Sequence, residues 1–170
     1  MKKLLPVLII ACLVHTIGCT KANEKEKPVC CVIPQPPAFI FAQKNGVSWA
    51  ATTYSAAIIR DSLKITGNTD DNEALGIIIK YNGTGQYNLA GTQVYYHNTT
   101  SPLVPLVNLS NYVLDNTVAN TFSISTYDSS TSTVSGTFSL SLIKTYGATN
   151  TAYPQSVNFL HGNFKLPLAK

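Results

Sequence analysis

Among residues 38–170, His97 and His161 are the only imidazoles, the side chains that most readily move a proton near neutral pH. A nucleophile, a base and an orienting acid would have to be drawn from the serines, His161 and Asp115 or Asp128. No Gly-x-Ser-x-Gly elbow supplies a context for such a set, and neither histidine has a sequence neighbour that would orient it as a base. Both are therefore expected on the surface or in turns, His97 at the end of a strand and His161 beside a turn glycine, and no catalytic residue is assigned. Asp70-Asp71-Asn72-Glu73 packs oxygen ligands that would suit Ca²⁺. It lacks the alternating spacing and central glycine of an EF-hand loop, so it reads as a solvated hairpin and no metal site is expected. A glycosidase carboxylate pair is unsupported, because nothing fixes the separation of the acids. Gly83-Thr84-Gly85 is followed neither by Lys-Ser/Thr nor by a helix, so it is no phosphate loop. No cofactor is expected.

Tyrosine is the richest functional material. Tyr81, Tyr87, Tyr95, Tyr96, Tyr112, Tyr127, Tyr146 and Tyr153 offer flat, amphipathic surface for sugars or protein partners, although most are expected to serve strand packing. Tyr95 and Tyr96 are adjacent, so on a strand only one of them can face the core. Charge excludes another class of partner. Residues 38–170 carry seven basic and six acidic side chains, a net +1, and Arg60 is the only arginine in the chain. Nucleic-acid binding wants Lys and Arg clustered on one face, so it is not expected. Charged residues are 12% of the chain against about 25% in a typical soluble domain.

The N-terminus carries chemistry of another kind. Lys2 and Lys3 precede an apolar run over residues 4–14, and Thr16-Ile17-Gly18-Cys19 places a small residue directly before a cysteine. That order reads as a bacterial lipoprotein export signal over residues 1–18, with lipidation at Cys19. Thr16 stands where such signals usually carry Leu, Val or Ile. Ile9-Ile10-Ala11-Cys12 fits that preference better but leaves an apolar stretch of only about 8 residues. The run is also shorter than the roughly 20 residues that span a bilayer, and it contains Pro6. Residues 19–37 then form the lipidated cysteine and a charged, proline-rich tether, expected to be extended and solvated. Cys30 and Cys31 within it could form a vicinal disulfide, pair with another chain or bind metal. The simplest reading is two exposed cysteines outside the cytoplasm.

Residues 38–170 are expected to form a single antiparallel β domain. Period-two alternation recurs between turn residues at short intervals. Phe39 and Phe41 alternate with smaller residues before Asn45-Gly46, the dipeptide best suited to a two-residue hairpin. Val47 and Trp49 open the return strand. Leu63 and Ile65 lead to a turn at Gly67-Asn68, and Ile77-Ile78-Ile79 reads as a strand covered on both faces. Asn82-Gly83-Thr84-Gly85 turns the chain into Gln86-Tyr87-Asn88-Leu89, and Gly91 turns it into Val94-Tyr95-Tyr96. Phe122 and Ile124 are set opposite Phe138, Leu140 and Leu142 through a hairpin at Asp128-Ser129-Ser130. Val157, Phe159, Gly162, Phe164 and Leu166 close the pattern. Residues 52–60 and 103–112 are ambiguous between helix and strand. The expected fold is an all-β antiparallel sandwich, with an up-and-down lipocalin-like barrel as the alternative.

These motifs, Asn45-Gly46-Val47 with Trp49, Leu63-Lys64-Ile65-Thr66-Gly67, Gly83 through Leu89, Val134 through Ser139 and Gly162-Asn163-Phe164, resemble the DUF6252-like lipoproteins of Bacteroidota. The resemblance runs in order through nearly the whole domain and implies a cell-envelope location in that phylum with an uncharacterised role. In that setting Asp61-Ser62-Leu63 resembles a short O-glycosylation signal, although it reads first as a strand start. The expected function is a non-enzymatic binding module, anchored in the outer membrane through its lipid and facing a glycan or protein partner. The alternative is a lipocalin-like carrier of a small apolar ligand, and a hydrolase ranks last.

Overall fold

The computed structural model describes residues 37–100 and 107–169. The export signal, Cys19, Cys30, Cys31 and nearly all of the tether lie outside the described residues. The described chain is all-β: β1 (Phe39–Lys44), β2 (Val47–Ala50), β3 (Thr53–Ile59), β4 (Ser62–Asn68), β5 (Glu73–Lys80), β6 (Gly85–Tyr87), β7 (Val94–Thr99), β8 (Asn108–Leu114), β9 (Thr121–Asp128), β10 (Thr133–Tyr146) and β11 (Ser156–Ala169). Both segments that were ambiguous in sequence contribute strands, β3 and β8.

All eleven strands belong to one mixed sheet in the order β2-β1-β11-β3-β4-β5-β7-β8-β10-β9-β6, and β11 also pairs with β10. The sheet folds over a single apolar core in a sandwich-like arrangement, as the alternation predicts. β10 and β11, 14 residues each, organise it. On the side away from β11, β10 pairs with β9 along its first half and with β8 near its end. β11 runs beside β10 and β1 and finishes against β3. That last pairing, Leu168↔Ala56 and Ala169↔Ala57, is parallel, and it corrects the expectation of a purely antiparallel sheet.

Asn45-Gly46 makes the expected hairpin. Both residues have positive φ, 51° and 81°, and Lys44 pairs with Val47 across them. Arg60-Asp61 makes a second two-residue turn with φ of 48° and 64°, joining Ile59 to its partner Ser62, so Ser62 does start a strand. The turn expected at Gly67-Asn68 lies instead at residues 69–72, with Asn72 at φ 60°. Gly67 is inside β4, where a Cβ would lie 3.0 Å from Ile40 and 3.4 Å from the Trp49 ring. In β1 it is Ile40 and Ala42 that face the core, while Phe39 and Phe41 pack against each other outside with centroids 5.3 Å apart.

Phe122, Ile124, Phe138 and Leu140 are all buried, and the Phe122 and Phe164 rings stack at 5.4 Å. Towards the other end Trp49, Phe159, Tyr96 and Tyr112 form a chain of ring contacts at 5.2–5.4 Å. The alternation of β11 slips between these clusters. Val157 and Phe159 are inward at odd positions, Phe164 and Leu166 at even ones. His161 is the extra residue, at φ 53° beside a break in register with both β1 and β10.

Candidate functional site

A cleft of ≈ 280 Å³ opens at one end of the sandwich, where the β1–β2 turn meets β7, β8 and the segment between β10 and β11. Val47, Pro154 and Val157 supply apolar wall, and Lys44, Asn45 and Asn98 supply polar groups. Lys44 ends β1, and its ammonium pairs with the Glu73 carboxylate at the start of β5. The other Glu73 oxygen accepts from Trp49 Nε1 at 2.8 Å. Lys44 Nζ also donates to Tyr96 OH at 3.2 Å. Tyr96 OH donates to Asn98 Oδ1 at 3.2 Å, and Asn98 Nδ2 donates to Ser110 Oγ at 2.8 Å. Asn98 and Ser110 are the buried polar residues of the described chain, so this string of hydrogen bonds carries polarity from the cleft into the core.

Each member is placed by strand geometry. β7 alternates Val94, Tyr96 and Asn98 inward, and its neighbour β8 alternates Ser110, Tyr112 and Leu114 inward. Burial, followed by the adjacent Glu73 carboxylate, raises the Tyr96 phenol far above its usual range. Burial also raises Tyr112, against a lowering hydrogen bond from Ser110. Tyr112 OH donates to Pro154 O at 3.0 Å. Lys144 lies 5.7 Å from the Tyr112 ring centroid and donates to Ala148 O at 2.7 Å and to Tyr153 O, holding the segment after β10 against the cleft.

The residues singled out in the sequence are dispersed. His97 lies inside β7 rather than at its end, half-buried on the outer face, with its ring stacked on Tyr95 at 5.7 Å. Burial alone lowers its pKa. His161 is exposed at the β11 bulge, and Gly162 beside it belongs to no turn: its Cβ would fall 2.3 Å from the Phe138 ring. Asp115 and Asp128 bind their own turns, accepting from Thr117 and from Ser130 and Thr131. In the acidic hairpin Glu73 turns to Lys44 and Trp49, and Asp70 accepts from Thr52 at 2.9 Å. The carboxylates do not converge, and no group of three His, Cys, Asp or Glu that could hold a metal occurs among the described residues.

The tyrosines do not share one face either. Tyr96 is the core member of its pair and Tyr95 lies outside, over Gly76, whose Cβ would meet its ring at 2.0 Å. Tyr87 packs on Phe122, and its hydroxyl bonds Gly83 O beside a second ≈ 280 Å³ cleft at the Gly83–Gly85 turn. Tyr81 faces Tyr127 at 6.3 Å, and Tyr146 is exposed.

Lys44, Glu73, Tyr96, Asn98 and Ser110 were not legible as a group. The available signal is a polar residue at an inward position of an alternating strand: Asn98 after Val94 and Tyr96. Residues 36–166 match a domain of unknown function, DUF6252. The chain belongs to the DUF6252 family. No curated protein and no solved structure matches it. Within this DUF6252 domain both the polar string and the cleft are built from residues inside the matched span.

Proposed function

We propose that this DUF6252 chain is a lipid-anchored protein of the bacterial cell envelope, held at the outer membrane through Cys19 and working as a non-enzymatic binding module for a glycan or protein partner. The observation that carries the binding role is the end cleft, whose Lys44 and Asn98 sit on strands within a hydrogen-bonded string and whose Asn45 is held in a tight turn by Asn158. Such pre-organisation suits recognition, because little side-chain entropy is lost when a ligand arrives. His97 stacks on Tyr95, His161 sits at the β11 bulge, and Asp115 and Asp128 accept from their own turns, an arrangement that favours binding over proton-transfer chemistry. Burial of Phe122, Ile124, Phe138 and Leu140 favours a ligand at the mouth over one carried in the interior. The anchor rests on the order of residues 1–19 and on the Bacteroidota resemblance.

Two experiments test the reading. Cys19→Ala is expected to abolish incorporation of labelled acyl chains and to release the protein from membranes; continued labelling would move the anchor to Cys12. The full chain is expected to give binding signals on glycan or peptide arrays without turnover. Hydrolysis of an ester, glycan or peptide substrate that disappears in His97→Ala or His161→Ala, with the fold retained, would overturn the non-enzymatic role.

A further inference from the structure

The balance of donors and acceptors in the end cleft points to the chemistry of what it takes. Lys44 has three N–H donors, of which Glu73 and Tyr96 use two. Asn98 has two amide donors, of which Ser110 uses one. Asn45 Oδ1 accepts from Asn158 N at 2.8 Å, and its amide N–H groups have no partner among the described residues. The acceptors on the same side chains are engaged: Tyr96 OH by Lys44, Asn98 Oδ1 by Tyr96 and Asn45 Oδ1 by Asn158. Each of those oxygens already accepts one hydrogen bond, whereas Lys44, Asn45 and Asn98 all keep unused N–H groups, that of Lys44 being charged, so the balance of the cleft leans towards donors.

We infer that the end cleft binds a carboxylate carried on a short apolar stem, with Lys44, Asn45 and Asn98 donating to the carboxylate and Val47, Pro154 and Val157 packing on the stem. A carboxylate is acceptor-only and accepts several donors at once, and hydrogen bonds between charged partners are the strong ones. The Lys44 side chain is 26% exposed, so its remaining donor is within reach of a ligand, whereas Glu73 behind it is 12% exposed and occupied by Lys44 and Trp49. Lys144 adds a second positive charge beside Tyr112. A volume of ≈ 280 Å³ is just below the roughly 300–1,000 Å³ of sites that enclose whole drug-sized molecules, so the cleft takes the acidic end of a ligand. A peptide C-terminus presents that group with its last side chain as the stem, and a sugar acid presents it with the C–H face of its ring in the stem's place. The inference rests on the binding role proposed above and makes it specific.

The test follows the side-chain amide signals of Asn45 and Asn98 in the isotope-labelled full chain by NMR during titration with N-acetyl-Ala-Ala, its C-terminal amide, glucuronate and glucose. Both signals are expected to move with the free peptide acid or with glucuronate, at least about tenfold more tightly than with the amide or glucose. Response to the peptide acid alone assigns a peptide end, and response to glucuronate alone assigns an acidic sugar. The double substitution Lys44→Gln with Glu73→Gln removes both charges together, leaving no unpaired buried ion, and is expected to erase the preference for the acid. Asn98→Leu serves as an independent second variant, with the same expected loss. Equal response to acid and amide overturns the inference, as does silence of both amide signals. Shifts confined to another surface would overturn it while leaving the binding role intact, whereas failure on every array would remove that role itself.

Discussion

Asp128 accepts from the backbone N–H and hydroxyl of Ser130 and from the hydroxyl of Thr131, and those bonds hold its pKa down at about 2 from an ordinary 3.8. Its stabilising effect on the β9–β10 hairpin is complete above pH 3.8 and is lost as pH falls towards 2, because the unfolded chain takes the proton first. Thermal melts across that range should be less steep in pH for Asp128→Asn than for the parent. His97 has the same sign from a different cause. Burial lowers its pKa below 6.5, so its neutral form stabilises the fold above that pH and the unfolded chain protonates first below it. His97→Gln should therefore flatten the fall in melting temperature on acidification from pH 7 to 5. At this scale the sequence was informative about the acids and silent about the cleft. Asp-x-Ser and Asp-x-Thr runs declare their own turns, whereas nothing local marks Lys44, Glu73 and Asn98 as neighbours: β5–β7 pairing sets Glu73 opposite Asn98, and Lys44 reaches Glu73 from β1, which pairs with neither strand.

A two-residue hairpin declares itself locally when its residue types are the ones that favour positive φ. Asn45-Gly46 did so, and Gly46→Val should cost about 1–2 kcal/mol by forcing a β-branched residue to φ 81°, read as a lowered melting temperature. Arg60-Asp61 adopts the same conformation without a glycine, which is why residues 52–60 stayed ambiguous in sequence. Strand glycines mislead in the other direction. Gly67 resembles a turn residue but is required where Ile40 and Trp49 cross β4. Gly136 is as tight as Gly76 but has less room to give, since an added Cβ would stand 2.0 Å from the Ser123 carbonyl oxygen, on backbone held by the β9–β10 ladder. Gly136→Ala should destabilise by about 3 kcal/mol through overpacking, measurable as a lowered denaturation midpoint.

Seen whole, the molecule depends on β11, which pairs with β1, β3 and β10. The fold class was legible, because alternation with frequent turns leaves little room for anything but strands. The order of strands was not, since β1 and β11 meet across most of the domain and no local pattern encodes that meeting. β11 is also the last of the eleven strands in chain order, and that order sets the timing of folding. Until it is synthesised, β1 has only the β2 hairpin and β3 only β4 as partners, while Trp49 and Tyr96 lack Phe159 and Phe122 lacks Phe164. A nascent chain released after residue 155 should show no cooperative unfolding transition, and refolding of the complete chain should be slow, because its decisive contacts are the most distant in sequence. Delayed closure of this kind keeps the polypeptide threadable while it is being made, which is the condition a chain must meet to pass through a translocation channel before it folds.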